Sequence, residues 1–244
     1  MKIDCYCTIG IDREYDLTPD QLLTDMDFLQ IDKAVIAPVD RCMSVYNKRG
    51  NDYILEQADK RPDRFIPGIS VNPWYGEEGV EEFCRCIKAQ TKILILHPLV
   101  QGYQANSNIV DGILSLAEKS SIPVYVHTGA PGNSTPWQII DLAERFPGLD
   151  FIMGHCGATD FSNDVLVSVE QVSNVYLESS LARPFGFINY AKKVGDSRCI
   201  FGSYAPLNDM KYEWQKTEEI MSLKDWPGVY GNTLAGLLAK RGAK

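Results

Sequence analysis

Residues 2–10 read "KIDCYCTIG". Apolar and polar side chains alternate along this run and a glycine ends it, which is the pattern of a β-strand. Strict alternation places Ile3, Cys5, Cys7 and Ile9 on one face and Lys2, Asp4, Tyr6 and Thr8 on the other. The first face is apolar and suits a layer under helices. The second is polar and suits an enclosed lumen. A thiolate pair at this spacing is competent to bind zinc, but here the cysteines are expected to pack, with no His or Cys partner near them in sequence. Seven more runs share the strand signature: "DKAVIAPV" (32–39), "RFIPGISV" (64–71), "KILILHP" (92–98), "IPVYVHTG" (122–129), "LDFIMGHC" (149–156), "NVYLESS" (174–180) and "RCIFGSYAP" (198–206).

Segments with apolar residues at helical spacing separate these runs. The first has Thr18 as an expected N-cap and Pro19 at the first helical position. Further helices are expected over 51–62, 75–90, 108–121, 136–148, 162–173, 184–195, 208–224 and 231–241. Eight strand–helix units in succession predict parallel strands joined by right-handed crossovers. Eight is the number that closes a (β/α)8 barrel, and the length of 244 residues fits one such domain spanning 1–244. An open doubly wound sheet is the alternative, but no Gly-rich dinucleotide fingerprint follows the first strand.

The net charge of −8 argues against nucleic acid or an anionic membrane as a partner. No apolar run approaches the roughly 18 residues of a membrane span, and no signal-like segment opens the chain. Seven cysteines, an odd number, suggest reduced, buried thiols and a cytoplasmic location.

Chemistry in a (β/α)8 barrel gathers at the C-terminal ends of the strands. Those ends offer Tyr6 and Thr8, Asp40 and Arg41, Asn72 and Trp74, His97, His127 and Thr128, His155, Glu178 and Ser180 with Arg183 in the following loop, and Ser203 and Tyr204. All three histidines of the chain fall in this set.

The segments "KIDCYCTIG", "LHP", "VYVHTG", "FIMGHCG", "VYLESS", "FGSYAP" and "GNTLAGLL" together resemble the amidohydrolase-related family of metal-dependent hydrolases, over essentially the whole chain and in order. The resemblance implies a distorted (β/α)8 barrel. It also implies hydrolysis of amides, esters or lactones, or decarboxylation of aromatic and unsaturated acids. In the family a His-x-His pair ending strand 1, a His ending strand 5 and an Asp ending strand 8 hold metal, and a strand-6 His assists. His127 and His155 match the strand-5 and strand-6 histidines. The strand-1 pair is replaced by Tyr6 and Thr8, the strand-8 Asp by Tyr204, and a frequent strand-4 lysine by Ile95, although His97 remains.

A neutral phenol or hydroxyl is a poor ligand for zinc, and the lost Asp would have been the base. No metal or other cofactor is therefore expected, a three-histidine site of His97, His127 and His155 being the one escape. The expectation is a small-molecule-binding pseudoenzyme. The alternative is a metal-independent hydrolase, lactonase or decarboxylase acting on a small carboxylate-bearing substrate, for which the family offers metal-free lactonases as precedent. Its catalytic candidates are His127, His155 and Glu178, and its ligand-binding candidates are Tyr6, Thr8, His97, Arg183 and Tyr204. A competing reading pairs Glu178 with Arg183. A Cys156–His155 nucleophile is disfavoured by strand alternation, and a homodimer is compatible with the fold.

Overall fold

The computed structural model describes residues 1–158, 160–221 and 226–240. Eight parallel strands run in sequence order around one sheet: β1 (Ile3–Thr8), β2 (Lys33–Ala37), β3 (Phe65–Ile69), β4 (Ile93–Leu96), β5 (Val124–His127), β6 (Phe151–Gly154), β7 (Val175–Glu178) and β8 (Cys199–Ile200). Closure between β8 and β1 is made by Cys5 N–H on the Phe201 carbonyl (3.0 Å), Tyr204 N–H on the Tyr6 carbonyl (3.1 Å) and Thr8 N–H on the Ala205 carbonyl (2.8 Å). The molecule is a single-domain (β/α)8 barrel, nearly closed, with helices between the strands.

Helix starts follow the local chemistry. The helix Pro19–Leu29 has Thr18 as N-cap and Pro19 at its first position, and Gln21 completes a capping box. Thr135, Pro136 and Gln138 repeat the device at helix Pro136–Arg145. The main differences from expectation lie after β1 and β2. A short hairpin pairs Gly10–Ile11 with Asp16–Leu17. Asp40–Ser44 forms an extra helical turn, and the next helix starts at Asn47 rather than 51. Asn47 anchors that start by donating to the carbonyls of Cys42 (2.8 Å) and Met43 (2.6 Å). The regular part of β8 is only two residues long. The last two expected helices are seen as Met210–Met221 and Thr233–Ala239; residues 222–225, 159 and 241–244 lie outside the described set.

Two apolar layers hold the fold. The outer one joins the strands to the helices and includes Cys7, Ile36, Leu94, Val126, Met153 and Leu177. The inner one fills the lumen with Tyr6, Val35, Ile66, Ile95, Tyr125 and Ile152, among others, and Leu234 and Leu237 of the last helix pack against it. Tyr6 and Tyr125 are both fully buried and stack at 4.8 Å between centroids with planes 13° apart. Burying each ring contributes roughly 2 kcal/mol.

Strict alternation fails on β1. Its pairing with β2 shifts register between Asp4 and Cys7, the mark of a β-bulge. Cys5 and Tyr6 consequently share the inner layer while Cys7 packs in the outer one. Asp4 turns its carboxylate onto the backbone, accepting from Tyr6 N–H and Ser203 N–H at 3.0 Å each.

Candidate active site

The mouth of the barrel collects most of the residues singled out from the sequence. His127 ends β5 and stacks on His97, which follows β4, with ring centroids 3.8 Å apart and planes 14° apart. His155 follows β6 and meets His127 ring to ring at 4.9 Å. Tyr6 meets His127 edge-on at 4.7 Å, and Tyr204 packs on His155 at 4.4 Å. Thr8 is buried on the β8 side, its hydroxyl donating to the Ala205 carbonyl at 3.4 Å. Arg183 stands apart, exposed at the N-cap of helix Pro184–Val194.

His155 does not extend its strand. It lies in a tight turn, His155–Gly157, with φ of +66° at His155, +46° at Cys156 and +48° at Ala158. Left-handed backbone at non-glycine residues costs roughly 1–2 kcal/mol each. Hydrogen bonds hold the turn: His155 N–H donates to Glu178 Oε2 (2.9 Å), Gly157 N–H to Thr128 Oγ1 (2.8 Å) and Cys156 Sγ to the Glu178 carbonyl (3.0 Å). The Cys156 thiol is thereby committed to backbone and is no partner for the imidazole.

Glu178 is fully buried at the end of β7, and its partners are not Arg183. Oε2 accepts from Tyr125 Oη (2.9 Å), Ser180 Oγ (2.8 Å) and His155 N–H, while Oε1 accepts from Ser180 N–H (2.6 Å). Two glycines make the space. A Cβ on Gly202 would lie 2.2 Å from Glu178 Oε1, and one on Gly154 would lie 2.4 Å from Tyr125 Oη. Burial pushes the Glu178 carboxyl above its usual range against the pull of these donors.

A hydrogen-bonded line runs on from Glu178. Ser180 Oγ lies 2.7 Å from His155 Nδ1, and His155 Nε2 lies 3.0 Å from His127 Nδ1. Burial presses His155 down to about 3, presses His97 down to about 3 with help from His155, and holds His127 well below the usual imidazole value. All three rings are neutral at pH 7, which also suits the close stacking of His97 on His127.

Opposite this line stand phenols. Burial holds Tyr6 well above the ordinary tyrosine value and raises Tyr204 as well. Asp40 adds negative charge beside both. Its backbone N–H donates to Tyr15 Oη at 3.1 Å, and burial raises its own carboxyl. Several polar atoms here are buried with no partner in the protein: Tyr6 Oη, His97 Nδ1, His127 Nε2 and Asp40 Oδ1. Native interiors leave few such groups.

As donors for a divalent metal this set fits poorly. The phenols are neutral, the Thr8 hydroxyl is spent on backbone, and one nitrogen each of His127 and His155 is spent on the other. Among the described residues no group of three or more His, Cys, Asp or Glu side chains is arranged to hold a metal ion, the three histidines included. A separate groove of about 990 Å³ lies outside the barrel, with Tyr46, Lys48, Arg49, Asp52, Tyr75 and Arg85 in its walls and none of the histidines.

Sequence reasoning placed Ser180 and Asp40 at strand ends without giving them a role, and it passed over Tyr125 and Tyr15. Tyr125 had a readable signal, since it sits two residues before His127 on the same strand and so shares its face. Tyr15 reaches Asp40 from the hairpin loop, which no periodicity marks.

A (β/α)8 barrel with its polar constellation at the strand C-termini defines a small-molecule enzyme scaffold. Residues 10–233 match the family model "Amidohydrolase", and the chain belongs to the amidohydrolase family. A curated relative, the gamma-resorcylate decarboxylase of Rhodococcus jostii, is 24% identical over 149 residues, covering 45% of this chain and 44% of that protein. In that match the chain spans less than half the length of the relative. Among solved structures, a TIM-barrel protein of Bordetella bronchiseptica aligns with a TM-score of 0.79 at 16% identity over 99% of each chain. A dihydroxybenzoic acid decarboxylase from a Polaromonas species, solved with manganese and the inhibitor 2-nitroresorcinol, aligns at 0.75 with 14% identity over 98% of this chain and 96% of that one. These structural likenesses speak for the fold. No described helix is long and apolar enough to cross a membrane.

Proposed function

We propose that this chain is a metal-independent enzyme acting on a small carboxylate-bearing substrate at the barrel mouth, with His127 as general base. Of the two readings left by the sequence, binding without turnover and metal-free catalysis, the geometry favours the second. The supporting observation is the set of buried, unpartnered atoms at the mouth, above all His127 Nε2. A neutral imidazole held by hydrogen bonds, with a bare nitrogen and no ligand from the protein, is arranged to take a proton. The phenol of Tyr6, kept protonated by burial, is a donor for the oxygen that gains charge at an attacked carbonyl.

These roles suit hydrolysis of a lactone or ester. Water loses a proton to His127 Nε2 as its oxygen adds to the carbonyl carbon, and Tyr6 Oη–H meets the carbonyl oxygen. The decarboxylases among the relatives favour a second reading, loss of CO2 from a hydroxylated aromatic acid. A bare lone pair serves that reaction less directly, because decarboxylation needs a proton delivered to carbon.

The test is turnover of a panel of carboxylated lactones, esters and dihydroxybenzoates by chelator-treated protein. Hydrolysis that survives chelation and falls about 10²-fold or more in His127→Ala is the expected result. Saturable binding of panel members without turnover would make the chain a binding protein, and activity that appears only on adding metal would overturn the metal-free reading.

A further inference from the structure

Ser180 and Glu178 lie behind the histidines, away from the unpartnered atoms, and their hydrogen bonds carry directional information. Ser180 has one hydroxyl proton, and it goes to Glu178 Oε2 at 2.8 Å. Every other partner of the Glu178 carboxylate is also a donor: Tyr125 Oη, His155 N–H and Ser180 N–H. Toward His155 Nδ1, at 2.7 Å, Ser180 Oγ can therefore only accept, so Nδ1 carries the hydrogen. A neutral imidazole has a single N–H, which leaves His155 Nε2 bare. It accepts from His127 Nδ1 at 3.0 Å. His127 in turn has its N–H at Nδ1 and its lone pair at Nε2, the nitrogen without a protein partner. Were the serine proton turned toward His155, every bond in the line would reverse and His127 would present an N–H to the site instead.

We infer that Glu178, Ser180, His155 and His127 form one proton relay, in which Ser180 fixes both histidine tautomers and Glu178 is the terminal proton acceptor. This rests on the reading of His127 as the base and assigns the two residues that act through it. Each transfer balances. His127 Nε2 takes a proton from water while its Nδ1–H passes to His155 Nε2. The Nδ1–H of His155 passes to Ser180 Oγ, and the Ser180 hydroxyl proton passes to Glu178 Oε2. The net result is one proton gained by Glu178 and one hydroxide added to the substrate carbonyl, with no charge left on either ring. The reverse sequence returns the proton to the leaving oxygen. The arrangement suits its surroundings, since an imidazolium is disfavoured in this buried site, whereas burial makes the Glu178 carboxylate take up a proton more readily than an exposed one. Glu178 and Ser180 are positioning residues, touching the substrate only through the histidines.

The chain has three histidines, so a long-range 1H–15N spectrum of 15N-histidine-labelled protein shows three rings. At neutral pH the expected spectrum has His127 and His155 each in a single Nδ1–H form with an unprotonated Nε2. Assignment uses His127→Gln and His155→Gln. In Ser180→Ala the single tautomer gives way to a mixture of both N–H forms, and Ser180→Thr, which restores the hydroxyl, restores it. A structural role alone leaves the tautomers as they were. Fewer than two Nδ1–H rings in the unaltered protein overturns the relay, and that result needs neither assignment nor a variant that folds. An unchanged single tautomer in Ser180→Ala overturns the role of Ser180. The readout requires no substrate, so absence of turnover on the panel tests the proposed function separately. With a turned-over substrate, Ser180→Ala should lower kcat by roughly 10²-fold with little change in KM.

Discussion

The two halves of the barrel mouth differ in how their polar groups are satisfied. On the β5–β7 side, Glu178, Ser180, His155 and His127 are joined in one hydrogen-bonded line, anchored by backbone N–H groups of His155 and Ser180. On the β1, β2 and β8 side, Tyr6 Oη and Asp40 Oδ1 are buried without partners, and Tyr204 is partly exposed. The stacked pair at the centre shows the contrast at its sharpest. Tyr125 and Tyr6 are parallel and equally buried, yet one hydroxyl donates to Glu178 and the other to nothing in the protein. The first half is a structural anchor that also fixes the orientation of His127. The second holds polar atoms that the protein itself leaves unsatisfied.

The largest effect should come from breaking the anchor. Glu178→Ala leaves the Tyr125 and Ser180 hydroxyls and two backbone N–H groups without their acceptor, and urea unfolding should show a loss of about 3–5 kcal/mol. A loss under 1 kcal/mol would mean that water replaces the carboxylate easily and that the line is no anchor.

Acid should act next, through the same half. Folded-state values of about 3 for His155 and His97, and one well below normal for His127, mean that the unfolded chain binds more protons below pH 6.5. Stability from the histidines is complete above pH 6.5 and is lost as pH falls toward 3. Asp4, raised to about 6, and Glu178, also raised, run the other way and offset part of this. A net loss on the order of 3 kcal/mol between pH 7 and pH 5 is expected in denaturant titrations. Flat stability over that range would contradict the neutral, buried imidazoles.

Smaller changes separate the two tyrosines. Tyr125→Phe removes a hydrogen bond to a carboxylate and should cost about 1.5–3 kcal/mol. Tyr6→Phe removes a hydroxyl with no protein partner and should shift stability by less than about 1 kcal/mol in either direction. Equal costs for the two would erase the distinction between the halves.

Much of this organisation was legible in the chain. Eight strand-like runs alternating with capped helices specify the barrel, and Thr18, Pro19 and Gln21 mark one helix start from local chemistry alone. Placing His97, His127, His155 and Tyr6 at one mouth needed only strand ends and alternation. What could not be read were the departures from regularity. The bulge at Asp4–Cys7 moves Cys5 inward, the left-handed turn at His155–Ala158 re-aims a ring, and a hairpin brings Tyr15 to Asp40. Each depends on non-local hydrogen bonds, to Ser203, Glu178 and Asp40 respectively, which no periodicity encodes. The partners of Glu178 were hidden for the same reason: the competing reading looked to Arg183, which is close in sequence, whereas Tyr125 and His155 come from other strands.

The central claim, that this mouth works without a divalent metal, is tested most directly by calorimetric titration of chelator-treated protein with zinc and with manganese. No saturable heat that depends on His127 is expected. A stoichiometric site for either ion, abolished in His127→Ala, would contradict it.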